Sequence, residues 1–306
     1  MTGELRGEFA ALLTAVFWTI TALSFESASK KAGSLSVNLL RLLFAFVFLS
    51  VFQWITSRNP LPLNASSHNW IWLSVSGLIG FVIGDLLLFQ SYVIIGARIA
   101  MLIMALTPPI AALTGWIVLN ESMNLQSLLG MLLTLSGISL AILSRPVGDE
   151  SGKTGSKGKL KLKYPLHGLL LALGGAVGQG VGLVLSKLGM QNYGAFPSTQ
   201  IRVITGIIGF ALVITFRRNW KNVKLALSNV PAMRSLTFGA FFGPFLGVSF
   251  SLLAVKYTSS GIASTIMAIT PVMIIAPSAI IFHEKVTSRE ILGAMLAVAG
   301  VALFFI

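Results

Sequence analysis

The feature that most constrains this chain is that it contains itself twice. The stretch IAMLIMALTPP from Ile99 to Pro109 returns as IASTIMAITPV from Ile262 to Val272. Thr107 and Thr270, Glu121 and Glu284, Gly130 and Gly293, and Gly137 and Gly300 all stand 163 positions apart (270 − 107). The register holds upstream, where Gly80 matches Gly243 and Gly84 matches Gly247. An ungapped offset of this length marks a tandem duplication, so each half is read against the other.

The repeated unit is made for lipid. The chain is 55% hydrophobic and 10% charged, where a soluble domain carries roughly 25% charged residues. So few charges cannot cover a water-facing surface. Runs of about 20 mostly apolar residues, the length a spanning helix needs, occur at 8–27, 35–56, 70–92, 97–118, 124–144, 166–187, 195–217, 233–255, 259–282 and 287–306. The first is not a signal peptide, because Glu4 and Glu8 stand where a basic region belongs and the sixth run is its partner. Arg41 in the second run matches Arg202 in the seventh at an offset of 161, so a two-residue length difference accumulates before the third run.

Ten runs divide into five and five. Five is odd, so the second half enters the membrane from the opposite side. The expected fold is an all-α integral membrane protein with ten transmembrane helices in two inverted five-helix repeats. The repeats span 1–144 and 166–306, joined by a Gly-, Ser- and Lys-rich linker at 145–165. Inverted repeats are a transporter architecture, with the substrate site near the midplane where the halves meet. The linker, with Lys153, Lys157, Lys159, Lys161 and Lys163, reads as a flexible solvated tether. Attraction to anionic lipid is its other reading.

Other chemistries find little support. Cysteine is absent, which excludes thiol chemistry, and His68, His167 and His283 make no metal-ligand pattern. No cofactor or metal is expected, and nothing resembles a nucleotide-binding loop. A formal charge of +13 would suggest nucleic acid in a soluble protein. Here most of it lies between apolar runs, where it sets topology, so no nucleic-acid partner is expected. The face reached after odd-numbered helices receives Lys30, Lys31, Arg98, Arg145, the linker lysines, Arg217, Arg218, Lys221, Lys224, Arg234, Lys285 and Arg289; the other receives Arg6, Arg58 and Lys256. The positive-inside rule makes the first face cytoplasmic and puts both termini outside.

The duplicated motifs resemble the EamA family of the drug/metabolite transporter superfamily. The second half carries LAVKYTSSGIAS from Leu253 to Ser264, then MAITP and the FHEKVTSREILG hairpin; the first half repeats it as IGARIAML, MALTPP and LNESMNLQSLLG. The helix-two arginine of such repeats stands at Arg41 and Arg202. The resemblance covers essentially the whole chain. It implies ten helices in two repeats and movement of small metabolites, often amino acids or related compounds. It also implies cytoplasmic termini, against the charge count. Small relatives carry a membrane glutamate in the middle of helix one; Trp18 and Thr19 stand there in this chain, so that coupling mechanism is not carried over.

Charged residues inside a membrane are functional by default. At 1.5 Å per residue, Arg41 lies about 9 Å and Asp85 about 10 Å from the first face, where Glu26 and Arg98 also sit. These four are expected to converge there. Lys187 and Arg202 take the matching places at the other face, with Glu121 the nearest acid. Asp85 has Val248 as its repeat partner, so the second half lacks this acid. Asp85 reads as a structural partner of Arg41, as a proton-coupling carboxylate, or as the contact for a substrate amine. Arg41 and Arg202 read as structural first, and as anchors for a substrate carboxylate second.

Thr107, Pro108 and Pro109, and Thr270 and Pro271, fall mid-run in both halves. Proline removes a backbone donor, so both helices are expected to kink, and the kinks point to a midplane site. Trp18, Thr19, Gln90, Tyr92 and Gln179 are the expected cavity residues; Trp18 and Gln179 pair by repeat. Glu121 and Glu284 read mostly as structural hairpin residues. The glycines of run six read as close-packing positions.

The reading is a secondary transporter, not an enzyme, that moves a small amino-acid-like solute by alternating access. Export is the favoured direction and proton coupling is open. The partners are the solute, membrane lipid and, if coupled, protons. A monomer is favoured, with a dimer as the other option, in a prokaryotic plasma membrane. The alternative is a lipid-handling membrane protein, a scramblase or lipid-modifying enzyme.

Overall fold

The computed structural model describes residues 3–119, 125–144, 161–257, 263 and 266–305. In lipid every backbone polar group must be satisfied within the chain, which leaves helix as the default for these apolar runs. Helix α1 (Gly3–Ala32) ends at Gly33, whose φ of 80° starts the turn into α2 (Ser34–Ser57). Helix α3 (Ser67–Gly77) opens with a capping box: Ser66 Oγ accepts from Asn69 N at 3.2 Å, and Asn69 Oδ1 accepts from Ser66 N at 2.9 Å. It widens into a π-helical turn at Leu78–Gly84 and continues as α4 (Asp85–Ile103).

The chain reverses inside α4. Gly96 has φ 78° and ψ 157°, a backbone state that L side chains rarely adopt. Tyr92 Oη donates to Met101 Sδ at 3.4 Å, although nine residues of straight helix would separate them by about 13 Å. The third and fourth apolar runs therefore meet at a single residue. A 3-10 turn (Met104–Leu106) follows, then α5 (Thr107–Leu119) and α6 (Leu125–Ile142).

Two short strands bracket the linker. β1 (Leu143–Ser144) pairs antiparallel with β2 (Lys161–Leu162). The expected tether therefore does not extend through its last residues, which are docked; 145–160 lie outside the described residues, as do Glu121, Arg145, Lys153, Lys157 and Lys159.

The second half follows the same plan: α7 (Leu166–Met190), α8 (Ala195–Phe216), the short surface helix α9 (Trp220–Ser228), and α10 (Val230–Ala240). A second π-helical turn occupies Phe241–Gly247 and leads into α11 (Val248–Tyr257). The two π turns, 78–84 and 241–247, are offset by the same 163 residues as the motifs. Helices α12 (Thr270–Met273), α13 (Ile275–Phe282) and α14 (Ser288–Phe305) complete the chain.

The expected proline kinks take the form of helix restarts. Pro108 and Pro109 lie in the first turn of α5 after the 3-10 turn, and Pro271 in the first turn of α12. A proline there loses no intrahelical hydrogen bond.

Among the described residues, six helical stretches are long and apolar enough to cross a membrane: Leu5–Ala32, Ser34–Ser57, Ser67–Val118, Leu166–Met190, Ala195–Phe216 and Val230–Tyr257. Leu128–Ile142 and Thr270–Phe282 are shorter apolar helices. Two of the contacts between the halves are glycine seams. In one, α7 packs on the α3–α4 stretch through facing glycines, and a Cβ on Gly178 would lie 2.6 Å from Gly84 Cα. In the other, α6 and α14 run antiparallel, with Gly137 on Gly293 and Gly300 on Gly130.

Candidate functional site

A cavity of about 160 Å³ lies between the halves. Much of its lining comes in repeat pairs: Trp18 with Gln179, Arg41 with Arg202, Phe81 with Pro244, Asp85 with Val248, Met104 with Met267, and Pro108 with Pro271. The duplication is therefore expressed in the cavity wall. Both π turns and both helix restarts contribute to it, and π turns recur at functional sites because they offset the side chains around them.

Asp85 is the hub of its polar side. Arg41 Nη2 bonds Asp85 Oδ2, and Gln179 Nε2 donates to Asp85 Oδ1 at 2.6 Å. Asn38 steadies the pair, since its Oδ1 accepts from Arg41 Nε at 3.0 Å and its Nδ2 donates to the Asp85 carbonyl at 3.2 Å. Arg41 also lies against the rings of Phe25, Phe81 and Phe89, with Phe89 nearest at 4.7 Å. Arg41 and Asp85 are 3% and 4% exposed.

Arg202 is held differently. It is 3% exposed, yet no carboxylate bonds it among the described residues, and its Nε has no hydrogen-bond partner. It lies over the Phe81 ring at 4.6 Å and feels Asp85 through space. A desolvated cation–π contact is worth about 2 kcal/mol, while taking an ion out of water costs several kcal/mol. The ring alone does not offset the burial.

A second cluster lies at the Gly96 turn. Glu26 pairs with Lys30 one helical turn on, and its Oε2 accepts from Ala97 N at 2.8 Å. Arg98 Nε donates to Glu284 Oε2 at 2.8 Å, and Arg98 also pairs with Glu290. Glu290 in turn takes Lys163 and accepts from Tyr164 Oη at 2.8 Å. Burial and this bond to a carboxylate push the Tyr164 phenol up, so it stays a neutral donor. The cluster joins both halves to the end of the linker.

Residues 5–143 and 166–306 each match the EamA-like transporter family. The chain belongs to this family. A Clostridium kluyveri protein described as an uncharacterized transporter is 22% identical over 300 residues, covering 96% of this chain and 91% of that one. The Bacillus subtilis protein described as uncharacterized transporter YvbV is 27% identical over 202 residues, 64% of this chain and 59% of its own. A solved crystal structure superposes with a TM-score of 0.61 at 17% identity, covering 98% of this chain and 95% of that one; that likeness concerns the fold. The chain is thus an integral membrane transporter of the EamA-like family with bacterial relatives.

Within this EamA-like transporter the expected site residues divide. Trp18, Tyr92, Gln179, Thr107, Pro108, Thr270 and Pro271 line the cavity with Arg41, Asp85 and Arg202. Thr19, Gln90 and Pro109 do not. Thr19 Oγ1 donates back to the Ala15 carbonyl at 2.9 Å, and Gln90 Oε1 accepts from Ser34 Oγ at 2.7 Å. The reason is helical phase. Trp18, Thr21, Ala22 and Phe25 share one face of α1, as Asp85, Leu88, Phe89 and Tyr92 share one face of α4. Thr19 and Gln90 are a step out of register with those faces. That periodicity was the signal for Thr21, Phe25 and Phe89, which a choice by polar or aromatic type without regard to helical phase passed over.

The expected four-residue convergence also separates. Asp85 and Arg41 face the cavity, while Glu26 and Arg98 belong to the cluster at the Gly96 turn, Arg98 with acids of the other half. Arg202 does not stay with Lys187. Its long side chain reaches the shared cavity, whereas Lys187 is exposed in the last turn of α7.

Proposed function

We propose that this protein is a secondary transporter that moves a small organic metabolite, amino-acid-like or related, by alternating access to the Arg41–Asp85–Arg202 cavity. The observation that carries this reading is the pairing of its lining: each half delivers a π turn and a helix restart to one shared space. Breaks in membrane helices are tolerable where they face protein or a polar cavity, and matched breaks in two repeats point to a transport site.

Ten crossings in two inverted repeats, 1–144 and 166–306 about the 145–165 linker, fit this reading. Ser67–Val118 runs for 52 residues, about 78 Å of helix against a core of about 30 Å, and Gly96 turns it back. The antiparallel seam between α6 and α14, equivalent helices of the two halves, supports the inversion. A monomer then holds the complete pathway. Asp85 is the coupling carboxylate, protonated in one exposure of the cavity and paired with Arg41 in the other, and the net movement is export.

The test is reconstitution into proteoliposomes with solute counterflow and gradient-driven accumulation measured side by side. Asp85→Asn is expected to leave counterflow intact and abolish accumulation. Wild-type vesicles that move no amino acid, amine or carboxylate would sink the transporter reading; an Asp85→Asn protein that still accumulates solute removes the coupling role.

A further inference from the structure

The cavity has an unbalanced charge. Among the described residues, the titratable side chains of its lining are Arg41, Asp85, Tyr92 and Arg202. Tyr92 is a neutral phenol turned to Met101. Arg41 spends its charge on Asp85 and one of its donors on Asn38. Asp85 in turn holds Arg41 on one oxygen and Gln179 on the other. Arg202 remains, buried to the same extent as Arg41, with an Nε–H that meets no acceptor. Two guanidinium groups and one carboxylate among the described residues leave a single positive charge facing the space between the halves.

We infer that the solute is a small organic monoanion, with its carboxylate on Arg202 and an apolar or aromatic body against Trp18, Phe25 and Phe89. This deepens the transporter reading and rests on it. A buried guanidinium presents planar, paired donors that match a carboxylate better than any other common group. Burial without a protein partner is the arrangement expected of a donor reserved for a ligand, since buried polar groups otherwise find partners. The same count argues against cations. An ammonium group would have to take Asp85 from Arg41 and would leave two uncompensated guanidinium groups in the cavity. A zwitterion brings that ammonium with it. Trp18, Phe25, Phe89 and Met104 give the wall ring and thioether surface, and its other polar side chains, Thr21, Thr107, Gln179, Ser251 and Thr270, are uncharged, which suits a body without charge. About 160 Å³ of space is close to a cavity that holds one benzene molecule, so the anion is of the size of acetate to benzoate.

The experiment uses the purified full-length chain in detergent, with thermal shift and calorimetric titration against acetate, butyrate, benzoate and phenylacetate. Benzamide and benzylamine serve as neutral and cationic counterparts of benzoate. At least one carboxylate is expected to raise the unfolding temperature by mass action, with benzamide and benzylamine weaker by tenfold or more. Arg202→Gln is expected to weaken carboxylate binding at least tenfold, and Arg202→Lys, which keeps the charge and loses the fork, to fall between. The inference is overturned if no carboxylate binds, if benzamide or benzylamine binds as tightly as benzoate, or if a monodisperse Arg202→Gln protein binds like wild type. The charge series on wild-type protein decides the matter even where the variants fail to fold. Counterflow separates this from the parent reading: vesicles that carry amino acids while no carboxylate binds refute the anion and leave the transporter standing. Carboxylate binding with no solute moved does the reverse.

Discussion

Thr134 Oγ1 donates to the Gly130 carbonyl at 2.9 Å and lies 3.4 Å from the carbonyl oxygen of Ala297, the residue that the 163-position offset assigns as its own counterpart. A residue can touch its counterpart only where the pseudo-two-fold axis passes. A two-fold relation between the repeats would place its axis at this pair, and the glycines around it contact in the matching pattern, Gly137 with Gly293 and Gly130 with Gly300.

The seam leaves no room for a methyl group. A Cβ on Gly137 would collide with Ala297 N and lie 2.6 Å from the Gly293 carbonyl. Both obstacles are backbone and cannot swing away. Gly137→Ala is expected to cost about 1–3 kcal/mol by overpacking, read as a lower unfolding temperature in detergent. An unchanged transition would mean the two helices do not pack this closely.

Removing one partner of the buried Arg41–Asp85 pair strands the other. Arg41→Gln is expected to destabilise by about 3–5 kcal/mol, because Gln179 alone remains on the carboxylate. The double variant Arg41→Gln with Asp85→Asn is expected to recover much of that loss. A double-mutant cycle on unfolding checks it. Additive losses would show that the two side chains do not depend on each other.

Glu290 holds the end of the linker through Lys163 and Tyr164. Glu290→Gln is expected to loosen that hold and to speed tryptic cleavage after Lys163 several-fold. Glu284→Gln, which touches Arg98 and not the linker, is expected to leave that cleavage rate near wild type. Equal rates in the two variants would remove Glu290 from this role.

Helical phase makes a paired prediction on α1. Thr21 lines the cavity and Thr19 bonds its own helix. Thr21→Val is expected to change solute affinity severalfold, and Thr19→Val to leave it within twofold. Binding isotherms of both variants decide it, and the opposite ranking would place the wrong face of α1 at the cavity.

These residues also show how far the sequence could be read. Repeats, apolar runs and the Thr-Pro positions were legible because each leaves a local mark, in periodicity or in a missing backbone donor. The Gly80–Gly84 and Gly243–Gly247 matches lie within the π turns, but nothing in glycine identity announces a wider turn. The Asp85–Arg41 pairing was legible from depth alone, since both lie at similar heights on neighbouring helices. Arg98 with Glu284 and Glu290 was not, because a contact between halves depends on how the repeats dock. Depth also misled for Arg202, whose side chain is long enough to leave the level of its own backbone.

The cavity has a parity that two identical halves cannot have. Two identical halves around one axis must supply every side chain twice, so any charge they place at a shared centre is even. Here the equivalent places hold Arg41 and Arg202 but Asp85 and Val248, and the sum is odd. Joining the copies in one polypeptide let a single position differ between them. A site that would otherwise carry two mutually repelling carboxylates, or none, can hold one.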